Sequence, residues 1–172
     1  MFKIGDYIMY NKSGVCRVID IADRTFGGRA ESAPYYTLEA VYGTETVFLP
    51  MKNNSPVLKY RAIISKDEAA NFISEIPGLL DRYIMNIPVV EQRELQNFYK
   101  SLIASDDIYE WLKILAYILN KKRTMLNGGK KLCQTDKIYE MKAKNLLYGE
   151  LATALEEDKE NLGQELDGKY MK

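Results

Sequence analysis

Between residues 2 and 50 the chain alternates short runs of β-branched and aromatic residues with turn formers. The runs are Tyr7–Tyr10, Val15–Ile21, Tyr35–Tyr42 and Glu45–Leu49. Asn11-Lys12-Ser13-Gly14 and Gly43-Thr44 break them, and Gly27-Gly28 lies in a longer connection from Asp23 to Pro34. The pattern predicts strands joined by turns and closing a small barrel. Gly14 is the residue expected at φ > 0. Alternation in the second strand puts Val15, Arg17, Ile19 and Ile21 on one side and Cys16, Val18 and Asp20 on the other. Pro50 ends the fourth strand, having no N–H for a ladder. A polar loop, Lys52–Pro56, follows, and Val57–Ile63 can supply one more strand.

Beyond residue 60 the apolar period becomes helical. Ser65 and Glu68 have capping-box spacing, which predicts a helix from Lys66 to about Ile76, stopped by Pro77-Gly78. A second helix is expected from about Val90 to Ile103, with Leu95, Phe98, Leu102 and Ile103 as its apolar set. Ser105-Asp106-Asp107 caps a third, reaching about Leu126, with Ile108, Trp111, Leu112, Leu115, Ile118 and Leu119 as its buried stripe and Gly128-Gly129 as its stop. Thr135 or Asp136 caps a fourth, to about Leu155. The last seventeen residues read as a short helix or a frayed tail. The fold class is therefore α+β in sequence order. A small SH3-like β-barrel at 1–60 precedes an all-α domain at 61–172.

Composition narrows the function. Hydrophobic residues make up 47% and charged residues 28% of the 172, ordinary for a globular chain. No apolar run is long enough to span a membrane. No leader pattern opens the chain. Two distant cysteines, Cys16 and Cys133, make no disulfide framework, which points to a reducing compartment, the cytoplasm. Both read as small buried hydrophobes. With no histidine, the commonest general base and zinc ligand are missing. No nucleophile, paired-carboxylate or phosphate-loop motif stands out, so an enzyme is not expected, nor a cofactor, metal or small-molecule substrate.

The net charge is zero but unevenly spread. From Lys121 to Lys144 eight bases face two acids, a net of +6. From Glu150 onward seven acids face three bases, a net of −4. Lys121, Lys122, Arg123, Lys130 and Lys131 are candidate phosphate contacts, since counterion release drives such binding. The same lysines also suit a helix C-terminus.

The order of these pieces resembles the CarD/CdnL family of bacterial transcription regulators. The residues that carry the resemblance are Phe2–Tyr10 with Gly14-Val15, Tyr36-Thr37-Leu38 and Val47-Phe48-Leu49-Pro50. In the helical half they are Ser105-Asp106-Asp107, Lys121-Lys122-Arg123, Gly129–Leu132, Thr135-Asp136 and Asn145–Leu151. The resemblance runs from residue 2 to about 156. It implies a Tudor-like N-terminal domain that binds the β subunit of RNA polymerase. It also implies a helical domain that touches promoter DNA without reading a sequence, and a role in stabilising the open complex. Polymerase contact falls on Arg24, Thr25 and Phe26 and on the strand Val47, Phe48 and Leu49. Phe48 stands where some members carry arginine, and a one-residue shift of register would turn Val47 and Leu49 outward in its place. Several members carry a wedge tryptophan early in the second helix; here that position falls on or near Gln92. Phosphate contacts from Arg93 and Lys100 would then carry more of the DNA binding. The sole tryptophan, Trp111, sits on an apolar stripe and reads as core. The competing reading is an adaptor on polymerase with no functional DNA contact.

Overall fold

A computed structural model describes residues 1–10, 13–26, 32–52, 59–126 and 131–172. The chain divides into two compact units, Met1–Ile63 and Ile64–Lys172. Asn11-Lys12, Gly27-Gly28, Gly128-Gly129, Lys130, and residues 53–58 of the loop expected at Lys52–Pro56 and the strand expected at Val57–Ile63, lie outside the described residues.

The first unit is an antiparallel sheet of β1 (Tyr7–Tyr10), β2 (Gly14–Arg24), β3 (Ala33–Ala40), β4 (Thr46–Pro50) and β5 (Tyr60–Ala62), ordered β4-β3-β2-β1-β5. It has the make-up of a Tudor-like domain. Gly14 takes φ +75, as expected, and Gly5 takes φ +98, conformations that cost glycine little. Ile8, Cys16, Val18, Tyr36, Leu38 and Leu49 form the core, with Phe2 packed against it, edge-on to Tyr36.

The pleat of β2 departs from simple alternation. Val18 pairs with Leu38, yet Asp20 pairs with Thr37, so the strand carries a bulge at Ile19. The extra residue reverses the parity. Cys16 and Val18 face the core, and after the bulge it is Ile21 that packs there while Asp20 turns to the outer face. Unbroken alternation would have buried the Asp20 carboxylate, so the bulge removes an unpaired charge from the core.

The second unit holds α1 (Lys66–Met85), α2 (Leu95–Ala104), α3 (Ile108–Leu126), α4 (Gln134–Leu155) and α5 (Lys159–Tyr170). The Ser65–Glu68 capping box is present. Pro77-Gly78 does not stop α1, which runs on to Met85. Leu79 and Leu80 continue the buried stripe of Ala69, Phe72 and Ile76, and that packing outweighs the hydrogen bond lost at Pro77. Conversely, α2 begins at Leu95 and not Val90, because Glu91 to Glu94 are all exposed and Leu95 is the first buried residue. Trp111 is fully buried in the first turn of α3.

The cap of α4 is Cys133, not Thr135 or Asp136. Its Sγ accepts the Asp136 N–H at 3.4 Å, while the Asp136 carboxylate accepts the Cys133 N–H at 3.3 Å. Cysteine has taken the place of serine in a capping box. The acidic last residues are helical: Leu162 and Leu166 of α5 are buried. Glu150, fully buried on α4, accepts the Ile64 N–H at 3.0 Å.

Candidate functional site

Beyond the bulge, Asp20 and Arg24 of β2, Thr37 of β3 and Phe48 of β4 share the outer face of the sheet. Arg24 Nη2 donates to Asp20 Oδ2 at 3.0 Å and to Thr37 Oγ1 at 2.9 Å. The guanidinium lies 4.7 Å from the centre of the Phe48 ring, a cation–π contact. Phe26 closes the group, 5.3 Å from Phe48 and 4.9 Å from Tyr35, centroid to centroid. Phe26 and Phe48 are each 42% exposed, a large apolar area to leave in water. Among the described residues no strand pairs with the far side of β4. An aromatic platform beside an open strand edge is equipped to take an extended segment of another protein: main-chain groups supply hydrogen bonds and the platform supplies contact area.

The basic stretch of the helical unit is internally paired. Lys121 Nζ of α3 donates to Asp136 Oδ1 of α4 at 2.9 Å, and Asp136 is only 1% exposed. The same oxygen accepts the Tyr99 hydroxyl of α2 at 2.7 Å. Burial works to raise the Asp136 carboxyl, but hydrogen bonds from Lys121, Tyr99 and Cys133 outweigh it and hold the group below its ordinary value. Burial, with the bond to Asp136, pushes the Tyr99 hydroxyl far up. Lys122 pairs with Glu140 at 2.6 Å, and Lys144 bridges Glu140 at 3.3 Å and Asp167 of α5 at 2.9 Å. Arg123 donates to the main-chain oxygen of Lys172 through Nε and Nη2.

The family model for the CarD-like/TRCF RID domain matches residues 2–61. Over that stretch the chain is similar to a CarD-like domain. Domains of this family are RNA polymerase-interacting. A comparison with curated proteins finds no match.

The matched stretch contains the whole aromatic platform, and the expected contact residues divide across its sheet. Arg24, Phe26 and Phe48 come together on the outer face, with Thr25 exposed beside them. Leu49 faces inward at 1% exposure and Val47 is half-buried against the core, so the register puts Phe48 outside. Sequence reasoning missed Asp20 and Thr37 as Arg24's partners, because the bulge that aligns them is invisible to alternation.

The helical unit lies outside the match. Gln92 is exposed, with its Nε2 3.8 Å from Cys133 Sγ. Arg93 is exposed and pairs with Glu91 at 2.7 Å. Lys100 and Lys131 are exposed. Asp136, Glu140 and Asp167 absorb the charge of Lys121, Lys122 and Lys144; the sequence marks Asp136 only as a candidate helix cap, and none of the three as a partner of these lysines. Among the described residues no cluster of three or more His, Cys, Asp or Glu side chains could hold a metal, and no helix is long and apolar enough to cross a membrane.

Proposed function

We propose that this chain is a non-enzymatic, cytoplasmic bacterial transcription regulator whose CarD-like domain docks on the β subunit of RNA polymerase. In this reading the helical domain leans on promoter DNA and slows collapse of the open complex. The observation that carries it is the exposed platform of Arg24, Phe26 and Phe48 beside the edge of β4, which no strand among the described residues pairs, within a stretch matched to a polymerase-interacting domain family. A regulator of this kind need shift the open complex by only about 1–2 kcal/mol, roughly a five- to thirtyfold change in population. Gln92, Arg93, Lys100, Arg123 and Lys131 are the candidate DNA contacts. The Arg93–Glu91 pair is exposed and weak, so a phosphate could displace the carboxylate. Affinity capture with the full chain tests the docking: the polymerase β subunit should be retained, and Phe48→Asp should release it. Retention that is indifferent to Phe48→Asp counts against the platform.

A second reading, an adaptor with no functional DNA contact, draws on the pairing of Lys121 with Asp136 and Lys122 with Glu140. Cations already matched by buried or half-buried carboxylates release few counterions on meeting a phosphate. Promoter binding measured against salt separates the two: a steep fall with salt supports DNA contact, and a flat one supports the adaptor.

A further inference from the structure

The helical unit holds a cleft that neither the sheet platform nor the basic cluster uses. It lies where the end of α1, α2 and the N-terminal half of α3 meet. Its volume is about 430 Å³, within the range of sites for small organic ligands. Tyr83 of α1, Phe98 and Leu102 of α2 and Tyr117 of α3 give it apolar and aromatic walls. The Phe98 and Tyr117 rings are 5.2 Å apart, centroid to centroid. Glu110 and Lys113, one turn apart on α3, also line the cleft and form an ion pair with each other. The Lys113 ammonium lies 5.6 Å from the centre of the Tyr83 ring, so the pair sits at the Tyr83 side. Lys113 engages Glu110 through Oε1. Among the described residues Oε2 accepts no hydrogen bond and the ammonium donates no second one. The cleft therefore presents ring surface and, side by side, one unused strong acceptor and unused strong donors.

We infer that this cleft binds an uncharged nucleobase, its ring against Phe98 and Tyr117 and its hydrogen-bonding edge against Glu110 and Lys113. The inference rests on neither polymerase docking nor the proposed phosphate contacts. Charge complementarity selects the class. The ion pair is neutral as a unit, so an anion brought to Lys113 meets Glu110, and a cation brought to Glu110 meets Lys113. An uncharged ring meets neither. A plain hydrocarbon ring would cover the carboxylate and the ammonium without matching them, at a cost in desolvation. A nucleobase has a flat face for the aromatic walls and an edge with a donor beside an acceptor, the complement of Glu110 beside Lys113. It can make both bonds without breaking the ion pair. The base can come from a free nucleoside or from an unpaired position in a single strand, and the chemistry at the cleft is the same.

The test uses the full-length chain, with adenosine as the free ligand and a short single-stranded oligodeoxyadenylate as the strand, each titrated by calorimetry. Adenosine should bind with a Kd of about 1 mM or tighter. Purine riboside, which lacks the exocyclic amino donor, should bind about tenfold more weakly. Phe98→Ala should weaken adenosine binding by about fivefold or more through lost stacking. Lys113→Met leaves the aromatic walls in place and should weaken it by a similar factor. Thermal unfolding confirms that each variant is folded. Binding of the oligonucleotide alone, weakened by both substitutions and lost for an abasic strand of the same length, would support the site and identify a strand as the source of the base. Three results would overturn the inference. One is no saturable binding of either ligand, or binding indifferent to both substitutions. Another is equal affinity for adenosine and purine riboside. The third is an abasic strand that binds as well as the oligonucleotide while adenosine does not bind, which leaves phosphate contact alone.

Discussion

Tyr99 on α2 and Lys121 on α3 converge on one oxygen of Asp136, at 2.7 and 2.9 Å, so a single carboxylate ties three helices together. The group is buried, and each donor would be stranded without it. Replacing Asp136 by alanine should therefore cost about 3 kcal/mol or more, because a lysine and a tyrosine hydroxyl lose their partner in a dry site. Tyr99→Phe removes one donor and should cost about 2 kcal/mol, typical for a bond to a charged group. Denaturant unfolding of both variants and of the pair checks this. The double variant should fall well short of the sum, as residues in one network do.

The same carboxylate sets a dependence on acid. Asp136 is held below its ordinary value of 3.8 in the folded chain, because the hydrogen bonds from Lys121, Tyr99 and Cys133 outweigh the cost of burial. A group lowered on folding stabilises the fold fully above its unfolded value, and that stabilisation fades as pH falls through the folded value. Below about pH 4 the unaltered chain should therefore lose melting temperature faster than Asp136→Asn, which has no proton to gain. Parallel melting curves for the two across that range would remove Asp136 from the acid response.

In α1, Pro77 and Gly78 are both exposed and sit well inside the helix. A Cβ built on Gly78 meets nothing within 4 Å, so Gly78→Ala should stabilise by about 1 kcal/mol, the usual difference in helix propensity. Pro77→Ala restores an N–H to the helix ladder and should stabilise by up to about 3 kcal/mol. Thermal unfolding reads both. If either change is destabilising, the proline-glycine pair has a structural role that the packing of α1 does not reveal.

The behaviour of Pro77-Gly78 shows which features were legible in the sequence. Local rules worked where one residue type decides the geometry: the Ser65–Glu68 box, Gly14 at positive φ, and Trp111 in the core stripe. They failed where tertiary packing overrode propensity. Leu79 and Leu80 carry α1 through a proline. The acidic tail, open in sequence between a short helix and a frayed end, is decided as a helix by the burial of Leu162 and Leu166. The candidate platform was half visible. Arg24, Phe26 and Phe48 were named from the family resemblance, but Asp20 joins them only because of the bulge at Ile19, and bulges leave no mark in simple alternation. The basic cluster was legible as charge but not as pairing. A linear charge count cannot see that Asp136 and Glu140, one turn apart on α4, face Lys121 and Lys122 on α3.

The two cysteines should differ sharply towards a thiol-directed alkylating probe. Burial, with the nearby Glu45 carboxylate, pushes the Cys16 thiol up to about 11, and the residue is fully buried. At pH 8 roughly one molecule in a thousand carries the Cys16 thiolate, and that thiolate is shielded. Cys133 is only half-buried at the start of α4. The folded chain should take up one label quickly, at Cys133, and a second only on unfolding. Labelling should itself loosen α4, because Cys133 Sγ accepts the Asp136 N–H. Loss of such a cap costs about 0.5–2 kcal/mol, a drop of several degrees in a domain this size. Cys133→Ser keeps an acceptor at the cap and should hold the original melting temperature while blocking the fast label. Cys133→Ala should block the label and still lose the stability. Equal melting temperatures for the serine and alanine variants would show that the sulfur cap contributes nothing to α4.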